Sequence, residues 1–134
     1  MKKLLSIGIF FGVLFLTGLT VNAQTTTAKY KVEKKNGYQL EISLTITNGK
    51  IQDISLNEFR PVNQSFHECS FEASRNDGIS VWTMSGNKIS IASGYGDHLF
   101  VTNRKNGFVV STDCSGVKVL FVKKGSRYVG KMLM

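Results

Sequence analysis

The chain has one proline, one tryptophan, two histidines and two cysteines in 134 residues. Each scarcity excludes something. His67-Glu68-Cys69 and Asp97-His98 are the only places where a histidine meets another reactive group. A Cys–His nucleophile pair would need Cys69 or Cys114 to stay reduced. His67 and Cys69 could open a metal site, but no further His or Cys stands beside them to complete a structural zinc set. No catalytic residue, no metal and no cofactor are therefore expected, and the chain reads as a non-enzyme. No window beyond the N-terminal segment holds a helical period for three turns, which excludes a helical domain. Acidic residues are also few, nine against seventeen Lys and Arg.

The N-terminus explains where those cysteines are. Lys2 and Lys3 precede an almost wholly apolar run from Leu4 to Leu19, and Val21-Asn22-Ala23 offers small or tolerated residues where a signal peptidase reads. Residues 1–23 are expected to be a cleavable signal peptide and residues 24–134 one domain. The run is short for a membrane span, and no stop-transfer charges follow at once. No cysteine stands just after the cleavage site, so a lipoprotein is excluded and no transmembrane segment should remain. The expected compartment is the periplasm or beyond it. Two cysteines in an oxidising compartment point to a Cys69–Cys114 disulfide, closing a loop of about 45 residues and worth roughly 4 kcal/mol.

What is abundant is turn chemistry. Asn36-Gly37, Asn48-Gly49, Asp77-Gly78, Ser85-Gly86-Asn87, Asn106-Gly107, Ser115-Gly116 and Lys124-Gly125-Ser126 punctuate the chain, mostly at intervals of about 8 to 12 residues. Asn-Gly and Asp-Gly supply the positive φ that tight hairpins need. Between them lie short runs of Val, Ile, Thr, Tyr and Phe. From Tyr38 to Thr47 the alternation has no fault, placing Tyr38, Leu40, Ile42, Leu44 and Ile46 on one buried face. The pattern predicts an all-β domain of about ten short antiparallel strands: 28–34, 38–47, 50–57, 67–74, 79–84, 88–92, 98–103, 108–113, 117–122 and 127–133. Sequential hairpins imply mainly a meander, closed into a barrel or folded as a sandwich. Glu58 to Phe66, with Pro61, reads as an irregular loop. The apolar C-terminal Met132-Leu133-Met134 implies a last strand that is paired.

Removing Lys2 and Lys3 leaves 15 basic against 9 acidic side chains, a net charge of +6. That balance favours a protein or an acidic surface as partner, anionic lipid and acidic polysaccharide included. Nucleic acid is excluded by compartment. In a meander every second turn lands at the same end. Lys34, Lys35, Arg60, Lys88, Arg104, Lys105, Lys123, Lys124 and Arg127 would then share one end, with the hairpin tips carrying Lys35, Lys105 and Lys124 on one rim. The same geometry puts Cys69 and Cys114 toward opposite ends, in conflict with a bond whose Cα atoms must lie within about 7 Å.

Two loops offer recognition groups. Ser93-Gly94-Tyr95-Gly96-Asp97-His98 frames an aromatic with glycines, and Tyr95 could bind or merely plug a barrel mouth. Glu58 to Phe66 carries Phe59, Arg60 and Phe66, which could bind or cap the core. Ala92-Ser93-Gly94, followed by Tyr95 and later Cys114, resembles the small-residue loop of secreted C-type lysozyme inhibitors, barrels of similar size. The chain lacks the Ala-Arg-Tyr-like segment that completes their motif. These features imply an exported binding module, an inhibitor of or immunity factor against a lysozyme-like hydrolase or a protease. The candidate binding residues are Lys35, Arg60, Ser93, Tyr95, Arg104, Lys105, Lys123, Lys124 and Arg127. The alternatives are a small barrel carrying an apolar ligand and a structural or surface-assembly protein.

Overall fold

The computed structural model describes residues 24–133. The signal peptide expected over residues 1–23 lies outside the described residues, as does Met134. Ten strands follow one another: β1 (Thr25–Glu33), β2 (Gln39–Thr47), β3 (Lys50–Val62), β4 (Ser65–Ser74), β5 (Val81–Ser85), β6 (Lys88–Ala92), β7 (His98–Arg104), β8 (Gly107–Thr112), β9 (Ser115–Lys124) and β10 (Arg127–Leu133). There is no helix among the described residues. Each strand pairs antiparallel with its sequence neighbour within two sheets, β1-β2-β3-β4 and β10-β9-β8-β7-β6-β5. The meander is therefore interrupted once, between β4 and β5. A closed barrel is not formed, because no ladder joins β4 to β5 or β1 to β10 among the described residues.

The turn residues do what their chemistry allows. Asn48, Asn63 and Asn106 all adopt positive φ, at 53°, 56° and 64°. Asparagine tolerates that region because its side chain can bond locally to the backbone. Asn63 marks a correction: residues 58–66 are no irregular loop. β3 continues to Val62, and Asn63-Gln64 turns directly into β4, with Val62 opposite Ser65. Pro61 misleads a sequence reader, but β2 pairs β3 only as far as Phe59. Beyond that residue β3 has no ladder partner on its β2 side, where a missing N–H costs little.

The crossover from β4 to β5 is knit by one carboxylate. Asp77 accepts the backbone N–H of Ser74, Ile79 and Ser80 and the Ser80 hydroxyl. The Ser74 bond is the strongest cause, and together they hold Asp77 well below the usual carboxylate range. The Arg75 guanidinium lies 4.4 Å from the Trp82 ring centre, fixing the start of β5.

Both sheets feed one core. The alternating face of β2 is buried from Tyr38 to Ile46, as expected. Ile54, Leu56, Phe71, Ile91, Leu99, Val101, Val119 and Phe121 meet it from the other strands. Phe108 stacks on Phe121 at 5.3 Å and leans on Tyr128 at 5.4 Å. Each large side chain removed from water in this way contributes about 1.5–3 kcal/mol. β10 lies alongside β1, so the last strand is paired and docked. Side chain contact closes that seam: a Cβ at Gly130 would come within 2.8 Å of the Tyr30 ring.

That seam fixes how the sheets are turned. Tyr30 meets Gly130, and Thr26 and Tyr128 border one groove, so β1 and β10 run the same way. The alternation of turns between ends therefore holds within each sheet and is reset between them. Turns of the second sheet that a single meander would send to the far end instead abut β4.

Candidate functional site

The Cys69–Cys114 disulfide shows the reset directly. Its Cα atoms lie 5.7 Å apart, joining the middle of β4 to the turn between β8 and β9. His67 approaches the same turn, its Nε2 3.0 Å from the Cys114 carbonyl. The conflict expected from a single meander is thus resolved by sheet orientation. Among the described residues no cysteine is free, which removes the Cys–His nucleophile pair the sequence offered. His98 Nδ1 lies 3.1 Å from Asp113. The His98 backbone N–H is the main cause that lowers the Asp113 carboxyl below its ordinary value. Asp97 and Asp113 place carboxylate oxygens near Cys114 Sγ. That sulfur is committed to the disulfide and Asp113 to His98, leaving Asp97 alone.

The most unusual cluster sits where β3 and β4 overhang the sheet. Phe59 and Phe66 stack across the hairpin with centroids 5.0 Å apart, yet are 36% and 58% exposed. Val62 adds a third exposed apolar side chain at the tip. Below them Glu58 is buried, only 1% exposed. Tyr38 donates its hydroxyl to Glu58 Oε2 at 2.7 Å, and Arg60 donates to the same oxygen at 3.2 Å. The other oxygen, Oε1, is buried without a hydrogen-bond partner. Two cations flank the Tyr38 ring, Lys34 at 5.5 Å and Arg60 at 5.9 Å from its centre. Burial first, and then the bond to Glu58, push the Tyr38 phenol up to about 12.

This shift has a testable sign. An unfolded tyrosine ionises near pH 10, whereas the folded phenol keeps its proton to about 12. A raised folded value adds stability below the lower of the two and loses it as pH climbs between them. Unfolding free energy is expected to fall by about 2 kcal/mol across that window. Chemical denaturation from pH 9 to pH 12 measures it. Tyr38→Phe should lose part of this alkaline slope, and a slope unchanged by the substitution would refute the assignment.

The expected binding residues divide into three places. Lys35 lies in the turn after β1, where Gly37 packs close to Pro61 of the hairpin, so Lys35, Arg60 and the exposed phenylalanines share one end. Ser93 and Tyr95 lie in the turn after β6. Ser93 accepts the Tyr95 N–H on its hydroxyl and shapes the turn. Tyr95 is 91% exposed and plugs nothing. It borders a groove of about 540 Å³ with Ile79, Glu72 and Ser55. Arg104, Lys105, Lys123, Lys124 and Arg127 form the third group. The Lys123 N–H donates to the Asn106 carbonyl at 2.8 Å, and Lys124 faces Arg127 across the hairpin. Lys123 and Gly125 border one groove with Asn48 and Gly49, beside the turn after β2. Lys105 and Lys124 are therefore brought together, but Lys35 sits at the other end of the first sheet. The single basic rim is corrected to two separate clusters, because turn alternation restarts between sheets.

Sequence reading missed the Tyr38–Glu58 bond, whose partners lie 20 residues apart. The available signal was Glu58 itself, which continues the inward series Ile54, Leu56 with a charge. No family model, curated protein or solved structure matches the chain. The function must be argued from these residues. Among the described residues no helix is long and apolar enough to cross a membrane. The disulfide fits an oxidising compartment.

Proposed function

We propose that this is a non-enzymatic binding module, acting in the periplasm or outside the cell, that inhibits or neutralises a hydrolase by presenting the β3–β4 hairpin to it. The observation that carries the reading is the stacked, exposed Phe59–Phe66 pair on a ribbon that extends past its own sheet. Rigid aromatic anchors of this kind dominate protein interfaces, because they bury much area while losing little conformational freedom. Arg60 beside them is held by Glu58 and Tyr38, so its guanidinium is oriented before any partner arrives. Lys35 and Lys34 add long-range attraction to an acidic cleft. A carrier of apolar ligands is the weaker reading, since Phe71, Phe108 and Phe121 occupy the interior such a ligand would need.

The test is a pull-down from the native envelope and its surroundings, comparing wild-type bait with a Phe59→Ser/Phe66→Ser variant. A hydrolase recovered by the wild type, with the variant binding it at least about 30-fold more weakly, is the expected result, since such anchors cost 2 kcal/mol or more when removed. The melting temperature should fall only modestly, because Phe66 is mostly in water and Phe59 is covered chiefly by Phe66 and not by the core. Turnover of any substrate that is abolished by mutating His67 or His98 would overturn the non-enzymatic reading.

A further inference from the structure

The charges of this domain are sorted by sheet. Strands β5 to β10 contain no Asp or Glu at all. Their inward positions are Ile89, Leu99, Val101, Val119 and Phe121. Side chains alternate across a strand, so Lys88, Arg104, Lys118, Lys124, Arg127 and Lys131 project from the opposite, outer face. None of these six makes an ion pair among the described residues. The outer face of the four-stranded sheet is net acidic, with Glu33, Glu41, Asp53, Glu68 and Glu72 against Lys29, Lys31 and Lys50. The molecule is electrically polar from sheet to sheet, through its thickness.

We infer that the outer face of the six-stranded sheet is a binding site for an acidic polysaccharide. The pairing register builds it in rows. One row runs Ser90, Phe100, Ser111, Lys118, and the next runs Lys88, Thr102, Val109, Leu120, Lys131. Hydroxyls and cations thus alternate with apolar surface across five strands, β6 to β10, about 19 Å at the usual strand spacing. Several sugar units fit along that width. Lys88 lies 4.3 Å over the Phe100 ring, which holds its ammonium ready at the surface. A bilayer would ask for the opposite relief. Membrane-docking faces push apolar side chains into the lipid. Here Val109 is only 6% exposed and Phe100, Leu120 and Val122 are half-buried, while the exposed Val81 and Val129 are separated on the two edge strands and the cations stand clear. Carboxylates on a polysaccharide can meet those cations without any apolar insertion. The acidic opposite face would orient the domain on such a surface, leaving the β3–β4 hairpin free for a protein partner.

Affinity for polygalacturonate, with neutral dextran as control, tests this on the intact exported protein. Wild type should bind polygalacturonate, release it as salt rises, and ignore dextran. Lys88→Glu/Lys118→Glu/Lys131→Glu should weaken binding by more than about tenfold, whereas Lys29→Glu/Lys31→Glu/Lys35→Glu, with the same net charge, should stay within about threefold. Lys88→Gln/Lys118→Gln/Lys131→Gln, a milder change, should give the same order with a smaller loss. Equal losses in the two charge-reversed variants would reduce the effect to net charge and overturn the site. So would preferential binding to phosphatidylglycerol vesicles, or a wild type that ignores polygalacturonate. Phe59→Ser/Phe66→Ser should retain the polysaccharide, which separates this site from the hairpin.

Discussion

Reducing the Cys69–Cys114 bond is expected to lower the melting temperature by about 15–20 °C, because closing a 45-residue loop is worth roughly 4 kcal/mol in a domain of this size. Position makes this bond matter more than its loop length alone implies. β4 is the edge of one sheet and β5 the edge of the other, with no ladder between them. The disulfide pins the middle of β4 to the turn after β8, beside the His67 contact with the Cys114 carbonyl. Cys69 is buried against the core, so its release loosens packing as well as chain entropy. Thermal unfolding with and without reductant gives the shift, and Cys69→Ala/Cys114→Ala should reproduce it. Hydrogen exchange should show β4 opening first, since the ladder to β3 is then its main tether. A reduced protein melting within a few degrees of the oxidised one would mean that the sheets hold each other without the bond.

The strands themselves were legible because their signals are local. Asn-Gly and Asp-Gly pairs fix turns within two residues, and the alternation of Tyr38 through Ile46 fixes a face within ten. The hairpin at Asn63-Gln64 was not legible, since Pro61 argues against a strand unless one knows that β2 ends before it. The basic rim failed for a different reason. Where a turn lies depends on how one sheet is laid against the other. That is decided by the 75–80 crossover, through Asp77, and by the close approach of Gly130 to Tyr30. Neither contact follows from periodicity. The sorting of charge by sheet was present in the sequence as a run without acidic residues inside any strand after Ser80. It gained meaning only once the register showed six cations on one face.

Gly107→Ala is expected to destabilise the domain by about 3 kcal/mol, the upper part of the range for forcing atoms into a packed site. Gly107 opens β8 opposite Val122 of β9. A Cβ there would be driven into the Phe121 carbonyl oxygen, and would lie 3.0 Å from the Phe121 carbonyl carbon and 3.2 Å from Val122 Cα. All three are backbone atoms, which cannot swing aside as a side chain can. The strands must part at this pair, next to the Phe108–Phe121 stack that anchors the sheet to the core. Gly116→Ala is the matched control, since a Cβ at Gly116 meets nothing within 4 Å. It should stay within about 0.5 kcal/mol of wild type. Denaturant titration of both variants measures the difference, and a Gly107→Ala loss no larger than that of Gly116→Ala would sink the argument. The consequence reaches the surface, because the Lys123 N–H bond to the Asn106 carbonyl spans the same approach. Parting β8 from β9 therefore separates the tip carrying Arg104 and Lys105 from the tip carrying Lys124 and Arg127. Any acidic partner that needs both should be held less well by Gly107→Ala, and equally well by Gly116→Ala.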